Sequence, residues 1–94
     1  MTTVEYSRNQ TEARITATGH QKRPDMCAGI SVVMCAIVNG LDDADVIDFK
    51  IIDGLCDVRM KRSARADAMY DMTVRAFKAM RDVYGDELRT VKMQ

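Results

Sequence analysis

The chain reads as an α+β domain. It predicts a two-layer arrangement, a mostly antiparallel sheet with two helices packed on one face, in the order ββαββαβ. Three observations carry that reading. Short runs alternate apolar and polar residues and come in pairs joined by turn residues, the pattern of β-hairpins. Two longer stretches repeat apolar residues at three- and four-residue spacing, the helical period. The second of these is bracketed by a serine and a glycine, residue types that start and stop helices.

The elements follow in order. Thr2–Arg8 sets Val4 and Tyr6 against Thr3, Glu5 and Ser7, and Ala13–Thr18 sets Ile15 and Ala17 against Arg14, Thr16 and Thr18. The polar turn Asn9–Glu12 joins them into a hairpin. Gly19 to Pro24 is loop. Asp25 is expected to cap a helix over Met26–Asn39, where Met26, Ile30, Val33, Met34, Ile37, Val38 and Leu41 form an apolar stripe. Ser31–Val38 is β-branched enough for a strand, but length and stripe favour helix. Gly40 is expected to end it in a left-handed conformation. After Asp42–Asp45, Val46–Ile52 and Leu55–Lys61 flank Asp53-Gly54, a strong hairpin turn signal. Ser63 caps Ala64–Tyr84, whose inner face is Ala66, Met69, Thr73, Ala76, Phe77, Met80 and Tyr84. Gly85 stops it, and Glu87–Met93 is a final strand.

At 94 residues the chain is expected to form one domain over residues 1–94, small enough that dimerisation adds useful stability. Fourteen basic residues balance fourteen acidic ones, so charge gives no reason to expect nucleic acid or a membrane surface as partner. No apolar stretch reaches the roughly 20 residues of a membrane span, and Met1–Gln10 is too polar for a signal peptide. Three cysteines cannot make a complete disulfide framework, so free thiols in a reducing cytoplasm are expected. The spacing His-x6-Cys-x7-Cys-x20-Cys lacks the Cys-x2-Cys knuckle of structural zinc sites. No metal and no cofactor is expected.

Chemistry concentrates in "GHQKRPDMCAGIS", Gly19 to Ser31, which holds the only histidine and the only proline. Cys27 falls in the first turn of a helix, where the dipole and unpaired N–H groups favour a thiolate. Lys22, Arg23 and His20 lie just upstream and push the same way. His20 is then a general base or an imidazolium partner. The first-turn N–H groups are candidates to hold an oxyanion. Ser31 sits one turn along on the same helix face, and Asp25 either caps the helix or orients His20. The blander reading is a small buried cysteine and a solvated loop histidine. Cys35 and Cys56 read as core, as do Met26, Met34, Met69 and Met80. Lys61, Arg62 and Arg65 read as a solvated turn, and the acidic turn Asp42, Asp43 and Asp45 lacks the glycine spacing of a calcium loop.

The string "ITATGHQKRPDMCAGISVVMCAIVNGL", Ile15 to Leu41, resembles the ribosomal-processing cysteine proteases, the Prp family. The matching marks are Gly19-His20, Asp25, Cys27-Ala28-Gly29-Ile30-Ser31 and Val38-Asn39-Gly40-Leu41. "AMYDMTVRAFKAMRDVYGDELRTVKM" looks like the family's second helix and last strand, so the likeness runs along nearly the whole chain. It implies a homodimeric, cytoplasmic cysteine endopeptidase that removes the N-terminal extension of a ribosomal large-subunit protein, or processes a related phage capsid or scaffold precursor. By position, Cys27 is the nucleophile and His20 the base, with Gly19, Asp25, Ala28 and Ser31 in supporting or substrate-binding roles. The partner implied is a protein substrate. Two departures stand out: only six residues separate His20 from Cys27, fewer than in the family, and Asp25 lies one residue closer to the cysteine. The second reading is therefore an inactive homodimeric peptide-binding or assembly module on the same fold.

Overall fold

A computed structural model describes residues 1–20 and 23–93. The element order is β1 (Thr2–Arg8), β2 (Glu12–Thr18), α1 (Pro24–Gly40), β3 (Val46–Ile52), β4 (Leu55–Lys61), α2 (Ala64–Tyr84) and β5 (Leu88–Lys92), the expected ββαββαβ. Single 3-10 turns at Asp43–Asp45 and Gly85–Glu87 lead into β3 and β5.

The five strands lie in the order β3-β4-β2-β1-β5. All pairs are antiparallel except β1 with β5, which run parallel from Thr2↔Leu88 to Tyr6↔Lys92. Register fixes the two faces. Val4 pairs with Ala17 and Ala17 with Cys56, while Ile15 pairs with Val58 and Ala13 with Met60. Because side chains alternate along a strand, these residues share one face, and all of them are buried. Met26, Ile30, Met34 and Ile37 of α1 close over that face. Ala66, Tyr70, Thr73, Val74 and Phe77 of α2 complete the layer. The opposite face carries polar cross-strand pairs instead. Arg14 grips Asp57 at 2.8 and 3.0 Å, Thr16 donates to the same carboxylate at 2.7 Å, and Arg59 reaches Glu12 at 3.0 Å.

Local chemistry explains the boundaries. Asn9 accepts from the amides of Thr11 and Glu12 at 2.8 and 2.9 Å, a side-chain turn that shapes the first hairpin. Ser63 accepts from Ala66 N at 3.0 Å and so caps α2 as expected. Gly85, at φ +61°, ends that helix.

Four expectations are corrected. Asp25 is not the cap of α1. Pro24 opens the helix with its preset φ, so Arg23 is the N-cap, without a side-chain hydrogen bond, and Asp25 falls within the first turn. Gly40 is not left-handed. It is the last residue of α1, followed by Leu41 in extended conformation. A Cβ there would stand 2.3 Å from the end of the Met69 side chain, which reaches over from α2. Cys35 is exposed rather than core, lying on α1 between the buried Met34 and Ile37 but outside the face they form. The buried face of α2 includes Tyr70 and Val74, while Ala76, Met69, Met80 and Tyr84 are half-buried around it.

Candidate functional site

The end of β2, the start of α1 and the β3–β4 turn meet at one edge of the molecule. Asp53 and Gly54 make the turn, with Gly54 at φ +79°. Its carbonyl accepts from Gly19 N at 3.0 Å, which ties the end of β2 to the tip of the neighbouring hairpin. Gly19 itself sits at φ +110°, and a Cβ there would lie 2.3 Å from the Met1 carbonyl oxygen, so conformation and space both require glycine. The Met1 nitrogen in turn donates to the His20 carbonyl at 2.9 Å. Backbone bonds from two other segments therefore hold the Gly19-His20 pair.

The His20 imidazole stands over Gly54. A Cβ on that glycine would come within 2.8 Å of Cε1 and 2.9 Å of Nε2. Nδ1 faces Asp53, 3.9 Å from Oδ1, beyond hydrogen-bond length and with both side chains largely in solvent. Gly54 is also a wall of a cleft lined by Thr2, Ala17, Gly19, Cys27, Ile30, Ser31, Ile52, Asp53, Leu55 and Cys56. Its enclosed part measures about 40 Å³, room for a few waters and too little for a side chain.

Cys27 is half-buried in the first turn of α1 and borders the cleft together with Ser31, one turn on. Ser31 also reaches Cys56 on β4. Burial pushes the Cys56 thiol up and the neighbouring Cys35 adds to this, while the hydrogen bond from Ser31 works against both. Asp25 turns elsewhere. Its carboxylate takes a two-pronged contact from Arg23, 3.3 Å from Nε and 2.9 Å from Nη2. That contact, more than the backbone amides of Met26 and of Asp25 itself, holds its carboxyl below the usual carboxylate range. Arg23 also lies over the Tyr84 ring, 4.9 Å from its centre, which fastens the start of α1 to the end of α2.

Of the residues singled out in the sequence, Gly19, Cys27 and Ser31 come together in the cleft, with His20 on its rim through Gly54. Asp25 is engaged with Arg23, so the carboxylate facing His20 is Asp53. Ala28 is exposed and not part of the lining. Lys22 lies outside the described residues. The first-turn amides are spoken for: Pro24 has none, Met26 and Cys27 donate to the Arg23 carbonyl at 3.2 Å, and the Asp25 carboxylate draws on those of Met26 and Asp25. Sequence reading found the Asp53-Gly54 turn but not its place beneath His20. Its only signal was the turn itself, since the contact joins residues more than thirty positions apart.

No protein-family model and no curated protein matches the sequence. Solved structures do match by fold. A crystal structure of the essential ribosomal processing protease Prp from Staphylococcus aureus, in complex with a covalently linked product peptide, superposes with a TM-score of 0.79 at 20% identity. The same protease in complex with a substrate peptide gives 0.75 at 21%, and a hypothetical protein from Staphylococcus aureus gives 0.72 at 19%. Each alignment covers 99% of this chain and 100% of the other. The likeness is one of fold: a five-stranded mixed sheet under two helices.

Proposed function

We propose that this chain is a Prp-like cysteine endopeptidase, with residues 1–94 as its single catalytic domain. What supports the reading is that Cys27 and Gly54 line one cleft and the His20 imidazole stands over Gly54. The shared fold with a protease crystallised with substrate and product peptides supports it.

In this reading His20 takes the proton of the Cys27 thiol, and the thiolate attacks a peptide carbonyl lying across the cleft. Collapse of the tetrahedral intermediate breaks the C–N bond, with His20 returning the proton to the leaving amine. Water then attacks the thioester, again through His20, releasing the acid and restoring the thiol. Gly19 positions His20, Ser31 lines the cleft, and Asp25 holds Arg23 at the start of α1. The substrate is the N-terminal extension of a ribosomal large-subunit protein or a phage capsid or scaffold precursor, met in the cytoplasm. The protein acts as a homodimer. A natural seat for the second copy is the outer side of α1, which carries no charge from Met26 to Leu41 and leaves Val32 66% exposed.

One observation favours a second reading, a peptide-binding module that does not cut. The first-turn amides of α1 already have partners, so they offer no donor to an oxyanion. The experiment is incubation with candidate precursor peptides, comparing the wild type with Cys27→Ala and His20→Ala. Cleavage by the wild type alone supports the protease. Equal binding by all three with no cleavage supports the module.

A further inference from the structure

The opposite end of the sheet holds a second concavity that the cleft chemistry does not use. Tyr6 and Arg8 of β1, Lys92 of β5, and Tyr70, Asp71, Val74, Arg75 and Lys78 of α2 line a groove of about 530 Å³. Thr2 borders the cleft and Arg8 the groove, six residues apart on β1. At about 3.3 Å per residue the two are roughly 20 Å apart.

The charge there is lopsided. Four cations, Arg8, Arg75, Lys78 and Lys92, face one carboxylate, Asp71, on a chain whose formal charge is +0. Arg8 engages Asp71 at 3.2 Å and lies 4.0 Å from Asp67, while Arg75, Lys78 and Lys92 have no carboxylate partner among the described residues. The cations come from three different elements, so the concavity focuses their field on one volume. Two are held in place at little entropic cost: Arg8 sits 4.7 Å above the Tyr70 ring and Lys78 is 5.6 Å from the centre of Tyr6.

Tyr70, another lining residue, adds an independent observation. Tyr70 is only 5% exposed, yet its hydroxyl has no hydrogen-bond partner among the described residues. Buried polar groups are ordinarily satisfied, so an orphaned phenol on a groove wall marks a place for an acceptor. Burial pushes this phenol's pKa up, which keeps it a donor at neutral pH.

We propose that this groove binds a small, multiply charged phosphate ligand, held by Arg8, Arg75, Lys78 and Lys92 with the Tyr70 hydroxyl as a neutral donor. Guanidinium forks and ammonium points together match the several oxygens of a phosphoryl group. Nucleobase stacking plays no part, because the tyrosine faces are buried or covered by Arg8 and Lys78. The volume lies in the usual range of small-ligand sites, about 300–1,000 Å³.

Isothermal titration calorimetry with inorganic pyrophosphate at low ionic strength tests this, using the whole chain. Saturable binding at one site is expected, weakened roughly tenfold or more by Arg75→Glu or Lys92→Glu. Tyr70→Phe keeps the ring and its packing, so it should melt near the wild-type temperature while binding pyrophosphate about two- to tenfold more weakly. Three results would overturn the proposal: no saturable heat, pyrophosphate affinity untouched by either charge reversal, or a hexaglutamate peptide binding as tightly as pyrophosphate.

Discussion

The two helices cover the same sheet and differ on every other count. On α2 the buried residues Ala66, Tyr70, Thr73, Val74 and Phe77 face a charged outer side. Its start is capped by Ser63, and Asp67 in its first turn is paired with Arg62 at 2.6 Å. On α1 the inner residues Met26, Ile30, Met34 and Ile37 are buried too, but no charged residue occurs between Met26 and Leu41, its N-cap side chain makes no capping bond, and Cys35 and Val32 face solvent. The contrast teaches a division of labour. A side-chain cap and a charged outer side mark α2, while α1 starts on a proline without a side-chain cap and leaves an uncharged outer side.

The comparison can be broken first at the inner faces. Phe77→Ala on α2 and Met34→Ala on α1 both empty fully buried space, and each should cost about 2–5 kcal/mol in denaturant unfolding. A markedly smaller loss for Met34 would mean that α1 is not an equal partner in the core. Next comes the crossing between the helices. Gly40→Ala puts a methyl 2.3 Å from the tip of Met69, a flexible end that can swing aside, while alanine favours the helix, so the two effects should nearly cancel and stability should stay within about 1 kcal/mol of wild type.

Smaller effects separate the two starts. Ser63→Ala should remove about 1 kcal/mol, and Arg23→Ala should cost less, because the Arg23 side chain caps nothing. Equal losses would undo the distinction between a capped and an uncapped helix. On the outer side, Val32→Lys should leave unfolding within about 0.5 kcal/mol of wild type, yet shift sedimentation toward the monomer if α1 is the dimer seat.

The smallest effect is in the acid limb. Arg23 lowers Asp25 and Arg62 lowers Asp67, so each carboxylate binds its proton more weakly folded than unfolded. Their contribution is present above the unfolded value, about pH 4, and is lost as pH falls through the lower folded value. Asp25→Asn and Asp67→Asn should each flatten the decline of stability below about pH 4, in melts followed by circular dichroism.

What could be read from the sequence was whatever depends on near neighbours. The Asn9 turn, the Ser63 cap, the Asp53-Gly54 turn and the Gly85 stop are decided within a few residues, and all four hold. So does the fold class, since period-two and period-3.6 patterning is local in the same sense. Errors arose where distant parts decide. Gly40 answers to Met69, and Tyr70 is drawn into the core edge-on to Tyr6 at 6.4 Å between ring centres. Asp53 faces His20 only because the tip of the second hairpin lands beside the end of β2. Asp25 is not the cap for a local reason: proline in the first turn moves the boundary back to Arg23. At the site, the motif pointed to Cys27 and His20, but the glycine seat beneath the imidazole belongs to the tertiary fold.

The parallel pairing of β1 with β5 has a kinetic meaning. Residues 2–6 lie against residues 88–92, so the first strand made is flanked on that side by the last. During synthesis β1 and β2 can pair early, but the β1 edge stays open until almost the whole chain has emerged. Closing such a long loop is slow relative to hairpin formation. Until then Leu88, 2% exposed in the finished fold, is missing from its place in the core. The sheet therefore cannot be completed piecemeal, and residues 88–92 act as the latch.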